Sequence, residues 1–145
     1  MAGHVGYLVV GNDDAGSNDD ERLDAGLAPL RDRSGVDVEL VTTDGRDAVR
    51  DAIGDLGDRT LVVAGGDGSL HVVVQALWDL GGADLLAATT LGLLPLGTGN
   101  DFARTAGIPL EPDEAGRLLL GGTARTTDLV VDDAGTVVVN ATHAG

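Results

Sequence analysis

Two short glycine-rich stretches carry the residues best suited to chemistry. The first is Gly65, Gly66, Asp67 and Gly68, followed by Ser69. The second is Gly97, Thr98, Gly99 and Asn100, followed by Asp101. Glycines bring backbone N–H groups close to a ligand and accept positive φ. Ser69 is placed to cap a helix, whose uncapped N–H groups beyond it form a seat for phosphate. Asp67 is the one charged residue in the first turn, and a carboxylate facing phosphates makes sense with a divalent cation between them. The plain alternative is a loop whose aspartate caps the helix that follows it.

Each stretch leaves a run typical of a buried strand. Leu61–Ala64 (LVVA) precedes the first and Leu91–Leu96 (LGLLPL) the second. Short β-branched apolar runs ended by glycine are the mark of strands in a parallel sheet. Two strand–turn–helix units of this kind put both turns on one edge of the sheet, where ligands of α/β proteins bind. Further strands are expected at Val5–Val10 and Val36–Val41. Helices are expected from about Asp19 to Arg33, with Leu23, Leu27 and Leu30 on one face, and from about Arg46 to Leu56. A helix from Ser69 has Val72, Val73 and Val74 in a row against it, since such a run favours a strand. Gly81–Ala88 reads as a loop, DFARTAG after Asn100 as a helix, and Asp113–Leu120 as another. Thr126–Val131 and Thr136–Asn140, around Asp132–Gly135, read as an antiparallel hairpin. The fold class is therefore α/β, a three-layer Rossmann-like, mostly parallel sheet between helices, with the hairpin at the C-terminal end.

Together, GGDGSLH at Gly65–His71 and LPLGTGNDFAR at Leu94–Arg104 resemble the catalytic domain of the diacylglycerol kinase family, which includes sphingosine kinases and bacterial lipid kinases. NAD kinases and phosphofructokinases are similar more distantly, through the GGDG turn. The resemblance implies ATP and Mg²⁺ as cofactors and transfer of the γ-phosphoryl group to a lipid hydroxyl. It implies nucleotide contacts at Asn12, Thr42, Gly65, Gly66, Asp67, Gly68, Ser69, Gly97, Thr98, Gly99 and Asn100, with Asp67 as the catalytic residue, acting through the metal or on the attacking group. Thr42 rather than Thr43 is chosen by counting back from Asp47-Ala48. Asn100 and Asp101 are also suited to capping the helix or fixing the loop, and His71 to holding the turn by a hydrogen bond.

The chain departs from the family's pattern at three points. Asp13 replaces a proline, no lysine follows Asn12, and Val72 stands where a glutamate is usual. The resemblance also implies a second, β-rich lobe beyond these residues that sets lipid identity and carries the base. On that reading residues 1–145 bind nucleotide weakly without turning over, and the enzyme is cytoplasmic, meeting its lipid at the membrane surface. A non-catalytic nucleotide-binding module and a soluble-metabolite kinase of the NAD-kinase type remain as alternatives.

Composition sets the outer bounds. A chain of 145 residues suffices for one domain with a core. It contains no cysteine, which removes disulfides and thiolate metal sites. Net charge is −15, with twenty aspartates and four glutamates against nine arginines and no lysine. Such a surface suits a salt-rich cytoplasm, where self-repulsion is screened, or reflects a high-GC genome. It offers no basic patch for nucleic acid.

Overall fold

The computed structural model of the chain describes residues 5–12, 17–96, 99–122, 130–131, 133–134 and 137–138. Four parallel strands form the central sheet in the order β2-β1-β3-β4. They are β1 (Val5–Asn12), β2 (Val36–Thr43), β3 (Thr60–Gly65) and β4 (Leu91–Pro95). The central pair shows why. Leu8 and Val10 on β1, with Leu61 and Val63 on β3, turn to one face, while Tyr7, Val9, Val62 and Ala64 turn to the other. Burial on both faces is what makes these strands continuously apolar. By contrast, edge strand β2 alternates exposed and half-buried residues over much of its length.

Helices α1 (Ser17–Arg31) and α5 (Pro112–Gly121) cover one face; α2 (Arg46–Gly54) and α3 (Asp67–Ala88) cover the other. The expected face of α1 is real: Leu23, Leu27 and Leu30 are all buried. Helix α1 crosses α5 at a pair of glycines. A Cβ on Gly116 would lie 2.1 Å from the carbonyl oxygen of Gly26, so the backbones meet with no room for a side chain. Helix α4 (Asp101–Ala106) follows the second glycine turn, and the buried Ala103 anchors it in the core. Strands β5 (Val130–Val131) and β6 (Val137–Val138) pair antiparallel, within the expected hairpin.

Two expectations need correction. Helix α3 starts at Asp67, not Ser69, because Gly66 is extended (φ −103°, ψ −162°) and leads straight into the first turn. It also continues through Gly81–Ala88, the expected loop. The glycines are used there for a kink at Gly82 (φ 63°), after which Leu85 and Leu86 fold back onto the core. The valine run is helical because α3 is covered on two sides, Val73 and Val74 being 1% and 2% exposed. Tertiary burial here overrides local strand preference. Among the described residues α3 alone is long and apolar enough to cross a bilayer, yet its buried residues pack against the sheet and α2.

Tyr7, the sole tyrosine, is buried, and its hydroxyl donates to the Leu119 carbonyl at 3.0 Å, tying β1 to α5. Burial raises its pKa above 10, and the nearby Arg33 opposes this more weakly. A raised folded pKa means that its stabilisation is complete below about pH 10 and disappears as pH rises through the higher folded value. The tyrosinate absorbance of the native chain is therefore expected to titrate with a midpoint above 10. Tyr7→Phe should lose less stability than the wild type across that interval. A midpoint at or below 10 would contradict the burial argument.

Candidate functional site

The connections that leave the carboxyl ends of β1 and β3 diverge, the first leading to β2 on one side and the second to β4 on the other. Such a switch point is where open α/β sheets bind ligands. A cleft of about 380 Å³ lies there. Its walls are the end of β1 (Val10, Gly11, Asn12), Thr43 at the end of β2, the start of α2 (Gly45, Arg46, Val49) and the start of α3 (Gly66, Gly68, Ser69, Val72, Val73). A larger hollow of about 470 Å³ lies at the opposite edge, around Asp37, Glu39, Asp58 and Arg59. There Arg59 is already bound to Glu39 at 2.6 Å and to the Leu56 carbonyl, which leaves a carboxylate-lined surface unsuited to an anion.

Both helices open toward the cleft without a side-chain cap. Gly45 precedes α2 with φ 96°, and Gly66 precedes α3. The first helical bond of α3 runs from the Leu70 N–H to the Gly66 carbonyl at 3.1 Å. Earlier N–H groups of the turn thus lack intrahelical acceptors and face an anion's natural seat. Gly65 is needed for space rather than for positive φ: a Cβ there would lie 2.6 Å from the Ser69 hydroxyl oxygen. Ser69 stands inside the first turn of α3, so it lines the cleft instead of capping the helix.

The second turn lies beside the first. The Leu96 N–H donates to the Gly65 carbonyl at 3.0 Å, continuing the β3–β4 ladder to the rim. Asp67 then bridges the turns. Its Oδ2 accepts the Asp101 N–H at 2.8 Å and its Oδ1 accepts the Phe102 N–H at 3.1 Å. The acid of the first turn therefore caps the helix after the second turn, not the helix it opens. A Cβ on Gly99 would rest 3.7 Å from Asp67 Oδ2, which keeps that side of the carboxylate open. Arg22 of α1 adds support, donating to the Pro95 and Leu110 carbonyls at 3.4 and 3.3 Å.

Of the residues expected to bind nucleotide, Asn12, Gly66, Gly68 and Ser69 meet in the cleft. Gly65, Asp67 and Gly99 stand at the junction with the second turn. Gly97 and Thr98 fall outside the described residues. Thr42 is exposed and stands away from the cleft; Thr43 is the buried neighbour that lines it, its hydroxyl donating to the Gly11 carbonyl at 3.1 Å. Counting along the sequence could not show that β2 runs two residues beyond Val41, which turns Thr43 inward. Asn100 is 5% exposed and left-handed (φ 53°, ψ 44°), a conformation asparagine tolerates, and shapes the turn from within. It stands at the N-cap of α4 without a side-chain cap bond to that helix. His71 makes no hydrogen bond among the described residues, contrary to its expected role. Arg46 and Val49 went unnoticed in the sequence because neither belongs to a glycine turn.

The sequence pattern of the diacylglycerol kinase catalytic domain matches residues 6–131. The chain belongs to that family. Among curated proteins, "Probable lipid kinase YegS" of Escherichia fergusonii is 37% identical over 132 residues, covering 89% of this chain and 43% of its own length. "Probable lipid kinase YegS-like" of Citrobacter koseri is 37% identical over 148 residues, covering 100% of this chain and 48% of its own. A crystal structure of a diacylglycerol kinase from Bacillus anthracis str. Sterne superimposes with a TM-score of 0.69 at 26% identity, covering 87% of this chain and 42% of that one. This diacylglycerol kinase-type chain thus spans less than half the length of the relatives it matches. Its cleft is lined by Gly66 and Gly68 of the first glycine turn and is apolar at Val72.

Proposed function

We propose that residues 1–145 are the ATP-holding part of a lipid kinase that transfers the γ-phosphoryl group of ATP to a lipid hydroxyl. The observation that carries this reading is the double hydrogen bond from the α4 backbone to Asp67, which unites both glycine turns at the switch point. Phosphoryl transfer is chiefly positioning and charge neutralisation, and the site's parts suit both. Asn12, Ser69 and the free N–H groups of α3 orient the phosphates, while Thr98 supplies a hydroxyl from the second turn.

Asp67 fits a divalent cation. It is exposed, and each carboxylate oxygen accepts one N–H, which leaves each with further acceptor capacity. Mg²⁺ commonly takes one or two carboxylates and completes its shell with phosphates and water, so Asp67 with the nucleotide would suffice. When bound, the ion would neutralise charge on the phosphates. Asp67 would otherwise orient the second turn through α4.

Relatives more than twice as long support a second, β-rich lobe that completes the acceptor side. Residues 1–145 alone are then expected to bind ATP, more tightly with Mg²⁺, and to transfer nothing. Titrating ATP calorimetrically with and without Mg²⁺ tests the first half. Assaying the full-length protein with γ-labelled ATP on diacylglycerol, a sphingoid base and NAD tests the second. Label in the lipid is the expected result. Label in NAD, or ATP binding with no acceptor at all, would replace this reading with one of the two alternatives.

A further inference from the structure

Given that the cleft holds a nucleotide, we infer that Arg46 is the residue that neutralises its phosphate chain. Arg46 is the one charged residue among the described residues that line the cleft. The other described residues of its walls offer neutral donors and apolar side chains. A polyanionic ligand approaching a chain of net charge −15 meets a repulsive field, so a cation inside the cleft has a clear task.

Two features of Arg46 have no use in the folded chain by itself. Four other arginines of this acidic surface are paired, Arg31 with Asp24, Arg50 with Asp79, Arg59 with Glu39 and Arg117 with Asp113; Arg33 and Arg104, which do not line the cleft, have no ion pair among the described residues. Arg46 has no ion pair among the described residues, although Asp44 and Asp47 flank it. It also occupies the first position of α2, behind an N-cap glycine with no capping side chain. A cation is disfavoured at that end of a helix, where the dipole favours acids. Arg46, an exposed residue, is therefore unsupported locally, and it lines the same cleft as Gly68 and Ser69. A planar fork of donors suits phosphate oxygens well.

Calorimetric titration of ATP, ADP, AMP and adenosine into wild type, Arg46→Gln and Arg46→Lys tests the inference. Arg46→Gln should weaken ATP binding by about 10- to 100-fold, the range of one or two charge-assisted hydrogen bonds. The loss should shrink through ADP and AMP and vanish for adenosine, and Arg46→Lys should recover most of it. Without nucleotide, Arg46→Gln should melt at or slightly above the wild-type temperature. Unchanged ATP affinity in Arg46→Gln, an equal loss for adenosine, or no recovery in Arg46→Lys would overturn the inference and leave the nucleotide cleft standing. Failure of the wild type to bind ATP would overturn both.

Discussion

Asp67→Ala is expected to lower the melting temperature of the nucleotide-free chain by ~3–6 °C and to weaken Mg²⁺-ATP binding at least ~10-fold. The first figure follows from losing a helix cap worth about 1–2 kcal/mol, at about 2–4 °C per kcal/mol for a chain of this size. Both donors lie in the first turn of α4, 34 and 35 residues away, so the same change detaches the second glycine turn from the first. Asp67→Asn separates the two roles. It keeps one acceptor but points an N–H₂ group at the other donor, so its melting temperature should fall between those of wild type and alanine variant. Its ATP affinity should no longer respond to Mg²⁺. If Asp67→Ala melts with the wild type, the bridge does not hold the turns together. If Asp67→Asn keeps the full Mg²⁺ response, the carboxylate is not the metal's ligand.

The second large effect lies far from the cleft. Gly116→Ala should destabilise the chain by about 3 kcal/mol, or ~6–12 °C, at the upper end for an overpacked core. The new Cβ would sit 2.1 Å from the Gly26 carbonyl oxygen and 3.3 Å from Pro29 Cγ, so the obstacle is α1's backbone and not a movable side chain. Helices α1 and α5 would have to separate, loosening Leu27, Leu30 and Ala115 from Val62 and Leu94. Gly121→Ala, in the same helix, meets nothing within 4 Å. It should be neutral or gain up to about 1 kcal/mol, because glycine loses the most backbone freedom on folding. Thermal melts followed by fluorescence of Trp78, the sole tryptophan, would compare them. Equal melting temperatures for the two variants would show that the glycine crossing is not tight.

Loss of ATP binding in Gly116→Ala, if seen, should accompany unfolding and disappear below its melting temperature. Asp67→Ala should show its deficit well within the folded range. The contrast separates a residue that holds layers together from one that joins two binding turns.

By itself the sequence determined the layers and the edge on which the candidate site lies. Strand identity at Val5–Val10, Leu61–Ala64 and Leu91–Leu96 follows from short apolar runs closed by polar or glycine residues, and α1 from the spacing of three leucines. Such patterns are local, and period and composition express them directly. The paired glycine turns were legible for the same reason, and they brought the family with them. Only the tertiary structure decided which residues face the cleft. Thr43 replaces Thr42 because β2 keeps its pairing with β1 through Asn12↔Thr43, and one residue of register exchanges the two faces of a strand. Asp67 reaches α4 rather than its own helix, and Arg46 lines the cleft from the start of α2, because parallel strands bring segments distant in sequence to one rim. No local pattern encodes those meetings, since each depends on where a separate crossover returns the chain.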